Sequence, residues 1–309
     1  MKKVSVVTPC FNEEANVEAL YRQVKEIFHK LGSYEYEHLF VDNASTDGTQ
    51  SILRKLAAAD SNVKVIINTR NFGHIRSPFY GLTQAGGDAV ILLVSDFQDP
   101  PELINDFVRE WEAGYKVVLG IKTNSGESGL MFALRKFYYN LADGLAEVKI
   151  NKNNTGFGLY DREVINQLKK LEEPYPFFRG LVSELGYKAA RVEYFQPARK
   201  RGITKNNFYT LYDIGMLGII NHSKVPLRLA IFSGAALAGL NLFVAFGYFV
   251  YKLVYWNSFS VGIAPVAIGL FFFSSVQLIF LGVIGEYIGA IYTQTLKRPL
   301  VIEKERINF

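Results

Sequence analysis

The sequence predicts an α/β domain with a mostly parallel central sheet flanked by helices, followed by a hairpin of two transmembrane helices. Short apolar runs end in clusters of polar and small residues, and each cluster leads into a stretch of helical character. Of the residues in this 309-residue chain, 49% are hydrophobic, and they are concentrated in the C-terminal part. Every residue between Arg228 and Lys252 is uncharged, and so is every residue between Lys252 and Glu286.

Three apolar runs in the first part of the chain are predicted strands. Residues 4–9 lead into Cys10-Phe11-Asn12-Glu13, residues 39–41 end at Asp42, and residues 63–67 run into Asn68. Parallel strands bind ligands beyond their carboxyl ends, so these polar residues are expected to share one edge of the sheet. Helices are predicted over residues 13–31, 50–59, 76–85 and 101–113.

A fourth apolar run, residues 90–94, precedes Asp96 and Gln98, and Pro100-Pro101 then start a helix. A carboxylate at a strand end suits a hard divalent cation that also binds phosphate oxygens. The same residues fit a surface turn whose acids cap the next helix. Residue types alone leave these two interpretations even.

Both uncharged stretches exceed the roughly 20 residues needed to cross a bilayer. Spans are predicted at about 229–251 and 264–285, with a lumenal turn near Trp256. A buried hairpin in a soluble core is the alternative, and two adjacent runs of this length weigh against it. Lysines and arginines flank the pair on both sides and are absent from the connecting loop beyond Lys252, which predicts that both termini and the α/β domain lie in the cytoplasm.

The N-terminus, the cysteine content and the net charge further restrict the classes of protein to which this chain can belong. No signal peptide is recognisable, and the single cysteine, Cys10, excludes an intrachain disulfide and fits a reducing compartment. The net charge of +5 is concentrated at residues 191–205, beside the spans, where anionic headgroups attract it. We find no nucleic-acid-binding module. Residues 207–224 are predicted to form an amphipathic interfacial helix, with an ordinary core helix as the alternative.

The ordered motifs resemble those of the family 2 glycosyltransferases, inverting enzymes of the GT-A fold, and within them the dolichyl- and polyprenyl-phosphate branch. The matching pieces are Thr8-Pro9 with Asn12-Glu13, Asp42 with Ser45-Thr46-Asp47-Gly48-Thr49, Asn71-Phe72-Gly73, and Asp96 with Gln98-Asp99-Pro100-Pro101-Glu102. The resemblance implies a GT-A domain over residues 1–206, the transmembrane region over 225–296 and a cytoplasmic tail over 297–309. It also implies an integral protein of the cytoplasmic membrane that transfers a sugar from a nucleotide donor, UDP rather than GDP, to an undecaprenyl-type phosphate. The oligomeric state stays open, a homo-oligomer included.

The resemblance also implies roles for individual residues. The nucleoside would lie among Pro9, Phe11, Glu13 and Asp42, and Asp96 would approach the ribose and a Mg²⁺ or Mn²⁺ ion, with Gln98 as a further metal ligand. Catalysis would depend on Asp96 and on a basic segment over the diphosphate. That segment contributes Arg199 and Lys205, and the implied contacts of the lipid phosphate are Arg135 and Lys136. A solvated basic face near the bilayer explains Lys136 equally well.

The chain departs from the family pattern at three positions. Val94 replaces the first acid of the usual Asp-x-Asp, which weakens the metal site, and Gly156 and Gly158 replace the Asp and Arg of a common Gly-Asp-Phe-Arg-Leu. That Asp is often assigned as the catalytic base, but a lipid phosphate is already anionic and needs none. A catalytically inactive membrane scaffold is therefore the alternative. A polysaccharide synthase is disfavoured because neither Trp111 nor Trp256 follows an arginine, as Gln-x-x-Arg-Trp requires.

Overall fold

The structure is a computed structural model that describes residues 1–124, 154–196, 225–255 and 263–309. These residues form one eight-stranded sheet with helices on both faces and two long C-terminal helices. The strands are β1 (Lys2–Cys10), β2 (Tyr34–Asp42), β3 (Val63–Asn68), β4 (Ala89–Leu92), β5 (Val117–Asn124), β6 (Asn154–Asp161), β7 (Ala189–Phe195) and β8 (Glu303–Ile307). The helices are α1 (Val17–Leu31), α2 (Thr49–Ala59), α3 (Gly73–Gln84), α4 (Ile104–Glu112), α5 (Arg162–Lys170), α6 (Phe178–Glu184), α7 (Val225–Val254) and α8 (Ile263–Thr295).

The sheet has the strand order β7-β5-β6-β4-β1-β2-β3-β8. Strands β4, β1, β2 and β3 are parallel neighbours, as predicted, whereas β6 pairs antiparallel with both β4 and β5, and β8 pairs antiparallel with β3. Cys10 is in register with Asp42, and Asp42 with Ile67. The carboxyl ends of the parallel strands therefore lie at one edge, where the sequence predicted a binding site.

The central strands are apolar on both sides because helices cover both faces of the sheet. Helix α1 buries Val17, Leu20 and Val24. Helix α3 approaches the sheet closely through Gly81, where an added Cβ would lie 2.7 Å from side-chain atoms of both Val7 and Val41. A larger residue at 81 would push α3, and the loop that precedes it, away from the strands.

Three predicted helix starts differ in the structure by three residues or more, and one of them is that of α3, which begins at Gly73 rather than at residue 76. The first helix begins at Val17 rather than at residue 13, because the backbone N–H groups of Glu13 and Glu14 donate to Thr49 Oγ1 (2.9 Å) and Asp47 Oδ2 (3.2 Å). The segment after Pro100 opens as a 3₁₀ turn, Pro101–Leu103, before α4 begins. The difference at the first helix matters for function, since residues 11–16 belong to the loop at the strand ends.

The C-terminal helices α7 and α8 contain 30 and 33 residues, which corresponds to roughly 45 Å each. In the part of the chain that the structure describes, Phe272–Thr295 is the one segment long and apolar enough to cross a membrane, and Val225–Asn241 is a shorter apolar segment. Large apolar side chains on both helices are exposed, among them Phe243 and Leu278. The predicted lumenal turn and residues 207–224 lie outside the described residues.

Beyond α8 the chain returns to the sheet, which the sequence did not predict. Strand β8 covers the edge of β3, with Ile307 opposite Val65, so the predicted tail is part of the α/β domain. Arg54 on α2 forms a forked ion pair with Glu305, 2.6 Å at its shortest. The Asn308 amide donates to the carbonyl oxygens of Ala57 (2.7 Å) and Val63 (2.9 Å).

Candidate functional site

The loops that follow three of the parallel strands each contain one non-glycine residue in the left-handed region. These residues are Asn12 after β1 (φ 58°), Ala44 after β2 (φ 61°) and Phe97 after β4 (φ 58°). Such conformations are uncommon for non-glycine residues and persist where surrounding contacts hold them. Their coincidence at one sheet edge supports this edge as the functional site.

Hydrogen bonds join the loop after β1 to the loop after β2. The Asn12 N–H donates to Ser45 Oγ (2.8 Å), and the Asn12 side-chain oxygen accepts from the Thr46 N–H (2.8 Å). Strand register adds to this, because Pro9 pairs with Val41 and Cys10 with Asp42. The predicted nucleoside residues thus lie at adjoining strand ends, Pro9 and Asp42, and in the loop after β1, Phe11 and Glu13.

Asp42 is fully buried, and its two carboxylate oxygens are in different situations. Oδ2 accepts from the Ser45 N–H (3.1 Å) and the Gln50 side chain (2.9 Å). Oδ1 is buried without a hydrogen-bond partner among the described residues. Burial raises the pKa of this carboxyl above its usual value, and the hydrogen bonds from Ser45 and Gln50 offset only part of that rise. A buried oxygen without a hydrogen-bond donor destabilises the folded protein unless a ligand supplies that donor.

Three asparagines join the loops after β2 and β3, a network that the sequence did not reveal. The Asn68 amide donates to Asn43 Oδ1 (3.1 Å), and the Asn43 amide donates to Asn71 Oδ1 (2.8 Å). The Phe72 N–H also donates to Asn43 Oδ1 (2.9 Å). The Asn71-Phe72-Gly73 motif therefore holds the start of α3 against the end of β2.

Asp96 and Gln98 occupy one tight turn after β4. Asp96 Oδ1 accepts from the Gln98 N–H (3.1 Å), and Ser95 Oγ donates to the Pro9 carbonyl (3.4 Å), which ties this turn to the end of β1. Within the described ranges, no group of three or more His, Cys, Asp or Glu side chains could hold a metal ion. One carboxylate and one amide suit Mg²⁺ or Mn²⁺ only when substrate phosphates and water supply the other ligands.

Asp99, which the sequence analysis did not single out, turns away from that pair. It is 4% exposed, and its Oδ1 accepts a 2.6 Å hydrogen bond from the Tyr194 hydroxyl on β7. Burial raises the pKa of Asp99 to about 6, and the negative charge of Asp96 acts in the same direction. No sequence signal links Asp99 to Tyr194, since they are far apart along the chain.

The departures at Gly156 and Gly158 are built into the backbone of β6. Gly156 has φ 96°, a conformation that disfavours any side chain, and a Cβ on Gly158 would overlap the Val118 carbonyl oxygen on β5. The nearby Asp161 caps α5 as its position predicts, because Oδ1 accepts from the Glu163 N–H (2.9 Å). Its Oδ2 accepts from the Trp111 indole (2.8 Å), so both carboxylate oxygens of Asp161 take part in structural hydrogen bonds.

Four predicted site residues, Arg135, Lys136, Arg199 and Lys205, lie outside the described residues. The roles that the resemblance implies for them therefore stay predictions. The structure does describe the strand from which the basic segment continues, since β7 ends at Phe195.

Comparisons with known proteins show to which family the chain is related. The model of the family described as "Glycosyl transferase family 2" matches residues 5–169. The glycosyltransferase YkcC of Bacillus subtilis (strain 168) is 36% identical over 299 residues, which cover 96% of this chain and 92% of that protein. The SfII prophage-derived bactoprenol glucosyl transferase of Shigella flexneri is 36% identical over 304 residues, 98% of each chain.

Among solved structures, a similar one is glucosyl-3-phosphoglycerate synthase from Mycobacterium tuberculosis in complex with Mn²⁺, uridine diphosphate and phosphoglyceric acid. It has 18% sequence identity and a TM-score of 0.46, and the match covers 71% of this chain and 76% of that one.

Proposed function

Because the chain belongs to glycosyl transferase family 2, we propose that it transfers a sugar, with inversion, from a nucleotide-sugar donor to a polyprenyl phosphate. The product, a polyprenyl-phosphate sugar, would serve the modification of cell-envelope glycans. The observation that carries this proposal is the similarity to a bactoprenol glucosyl transferase over 98% of both chains, since bactoprenol is a polyprenol.

The Asp42 carboxylate supports a uridine donor. Uracil presents one imide N–H, and Asp42 has one buried oxygen, Oδ1, without a partner among the described residues. Guanine presents two adjacent donors that suit a carboxylate with both oxygens available. In this chain Oδ2 is already occupied by Ser45 and Gln50, which favours uracil.

Asp96 and Gln98 are the residues proposed to hold a divalent cation with the donor diphosphate. When bound, the cation would neutralise charge that develops on the leaving diphosphate. Arg199 and Lys205 are proposed to supply further positive charge to the same group, a role that requires preorganised donors near the leaving oxygen. Loss of the first acid at Val94 leaves the substrate phosphates as necessary metal ligands.

The acceptor chemistry fits the absence of a base at Gly156. A phosphate monoester has a second pKa of about 6, so its oxygen is already anionic at neutral pH. The protein then has to align that oxygen with the anomeric carbon rather than deprotonate it. A sugar hydroxyl would instead need a general base, whose contribution is roughly 10²- to 10⁴-fold.

The sheet supports a topology with two membrane crossings. Strand β7 precedes α7 and strand β8 follows α8, and both strands belong to the same sheet. Two crossings would bring the chain back to the side of the bilayer where β7 lies, whereas a single crossing by α8 would place β8 on the other side. We propose that α7 and α8 each cross once, with the catalytic domain in the cytoplasm, as the basic flanks predict.

The test is a transfer assay with the purified full-length protein, polyprenyl phosphate and a panel of labelled UDP- and GDP-sugars. We expect one UDP-sugar to yield a single-sugar lipid product that EDTA suppresses. Asp96→Ala should lower the rate at least about 100-fold. Asp106→Ala, which removes a partly exposed acid paired with Arg109 on α4, should leave the rate unchanged.

Two results would contradict the proposal. No product with any donor, together with intact folding, would favour the inactive scaffold. Products that lengthen with time would favour a polysaccharide synthase. An EDTA-insensitive wild type with a fully active Asp96→Ala variant would remove the metal role while leaving the transfer activity in place.

A further inference from the structure

Two arginines from different helices lie against one short aromatic segment next to the site. The Arg76 guanidinium on α3 is 5.4 Å from the centre of the Tyr175 ring, and the Arg179 guanidinium on α6 is 5.2 Å from that of Phe177. Helices α3 and α6 contact each other through Phe79 and Phe178, whose ring centres are 6.2 Å apart. Arg76 and Arg179 therefore belong to one patch, which we call the arginine patch.

His74 belongs to the same neighbourhood. Burial lowers the pKa of its imidazole, and the positive charge of Arg179 lowers it further. This effect requires Arg179 to lie within electrostatic reach of the first turn of α3. The α3 N-terminus adds its own partial positive charge to the patch.

In the part of the chain that the structure describes, no acid pairs with the arginine patch. Among the described residues, neither Arg76 nor Arg179 forms an ion pair with a carboxylate, and Arg76 Nε is buried without a hydrogen-bond partner. Arg162 shows what a structural arginine looks like here, because its Nε donates to the Gly87 carbonyl (2.7 Å) and its Nη2 to the Ala85 carbonyl (2.8 Å). A partly buried cation without such partners is costly, so Arg76 indicates an anionic ligand.

The arginine patch borders the reaction site. Arg179 Nη1 donates to the Asn154 carbonyl (3.0 Å) at the start of β6, two residues before Gly156. A Cβ on Gly156 would lie 3.6 Å from Leu92 at the end of β4 and 3.7 Å from Phe178. Strand β4 leads directly into the turn of Asp96, so the patch adjoins the position where relatives place an acid.

We infer that Arg76 and Arg179 bind the phosphate group of the polyprenyl acceptor. The inference rests on the proposed function and names residues of its acceptor site in addition to Arg135 and Lys136. A guanidinium offers forked hydrogen bonds that match phosphate oxygens. Glycine at 156 fits the same account, because an aspartate there would place a negative charge beside the incoming phosphate.

The experiment measures the KM for polyprenyl phosphate at saturating UDP-sugar in the full-length protein. Arg76→Gln should raise this KM about 10- to 100-fold, the usual cost of losing a hydrogen bond to a charged group. Arg76→Lys keeps the positive charge but cannot form the paired hydrogen bonds of a guanidinium, so its KM should be intermediate. Arg22→Gln, which removes an exposed arginine paired with Glu18 on α1, should change nothing.

Arg179 needs a milder variant, since its bond to Asn154 also supports the backbone. Arg179→Lys should raise the acceptor KM while the affinity for UDP, measured by calorimetry, stays at the wild-type value. A general loss of folding would instead weaken both. Direct binding of polyprenyl phosphate and of the uncharged polyprenol, each in detergent micelles, gives a readout that does not depend on turnover.

These measurements separate failure of the inference from failure of the proposed function. If the wild type transfers sugar but Arg76→Gln and Arg179→Lys keep its acceptor KM, the inference is wrong and the function stands. If no sugar is transferred but the wild type prefers the phosphate to the alcohol, and Arg76→Gln abolishes that preference, the arginine patch binds phosphate without the activity. Equal binding of the phosphate and the alcohol by the wild type overturns the inference.

Discussion

The Tyr194 hydroxyl donates a 2.6 Å hydrogen bond to the buried carboxylate of Asp99, and this bond ties β7 to the turn that carries Asp96 and Gln98. Thr155 Oγ1 lies 3.5 Å from the same hydroxyl, so β6 joins the contact. The basic segment with the predicted diphosphate residues continues from β7. The bond therefore holds the turn of the proposed metal-binding residues against the last described strand before that segment.

Removal of that hydroxyl should impair catalysis more than folding. In Tyr194→Phe, the Asp99 carboxylate loses its charged hydrogen bond, worth about 1.5–3 kcal/mol, and the turn of Asp96 loses its anchor. We expect kcat to fall about 10-fold or more in the transfer assay. Tyr187→Phe is the matched control, because its hydroxyl donates to Glu163 (2.8 Å) at the surface. Equal kcat values for the two variants would contradict the positioning role of Tyr194.

Introducing the aspartate of the family motif at Gly156 should not raise the rate of sugar transfer. Gly156→Asp forces a side chain onto φ 96°, which costs roughly 1–2 kcal/mol, and adds negative charge where the phosphate is proposed to bind. We expect a lower melting temperature and no gain in initial rate. Gly114→Asp is the control, since Gly114 has φ 98° in open space at the surface. A gain of about 100-fold in Gly156→Asp alone would show that the reaction needs a base.

The strand after the membrane region should stabilise the catalytic domain. Deleting residues 301–309 removes β8, the Arg54–Glu305 ion pair and both hydrogen bonds of Asn308, and it exposes the edge of β3. At about 1 kcal/mol per hydrogen bond and roughly 2–4 °C per kcal/mol, the melting temperature in detergent should fall by at least about 5 °C. Lys304→Ala changes an exposed side chain of the same strand and should not shift it. An unchanged melting temperature for the deletion would mean that β8 contributes no stability.

Stability should fall on mild acidification because of His38. Burial lowers the pKa of this imidazole to about 3, from 6.5, while its Nε2 lies 2.9 Å from Thr8 Oγ1. The folded state resists protonation that the unfolded state accepts. The stability due to neutral His38 is therefore fully present above pH 6.5 and is lost as the pH falls from 6.5 towards 3, by up to about 1.4 kcal/mol per pH unit.

The measurement is the melting temperature at pH 7 and at pH 5, a range above the ordinary pKa of a glutamate. His38→Asn should have a lower melting temperature than the wild type at both pH values. Its melting temperature should fall less between pH 7 and pH 5 than that of the wild type. His29→Asn, at an exposed position on α1, should follow the wild type. The same acid sensitivity in His38→Asn as in the wild type would rule out His38 as the source.

The central part of the fold could be predicted because its signals are local. The apolar runs at 4–9, 39–41, 63–67 and 90–94 correspond to β1, β2, β3 and the region of β4. Alternation with helices implies a parallel sheet, and parallel strands bring their following loops to one edge. The residues predicted to bind the donor therefore lie at adjoining strand ends and in the loops that follow them: Pro9, Phe11, Glu13, Asp42 and Asp96.

Other features depend on pairs that are distant along the chain. The part of the chain after residue 121 contains β6, which pairs antiparallel with β4 and β5, and no local pattern indicates that order. Asp99 with Tyr194, and Arg76 with Arg179, are likewise separated by about a hundred residues. The residues around each of these positions form no motif that would indicate which distant residue lies nearby.

The sequence by itself determined the alternating strands and helices, the apolar C-terminal segments and the polar residues at the strand ends, because each follows from the periodicity and chemistry of neighbouring residues. Only the tertiary structure decided that β8 returns to β3 and that one buried oxygen of Asp42 has no partner among the described residues. It also decided that Gly156 has a left-handed backbone and that Gly158 has no room for a side chain. The physical reason is that burial, hydrogen bonding and steric overlap depend on distances between segments, which a linear sequence does not specify until the chain has packed.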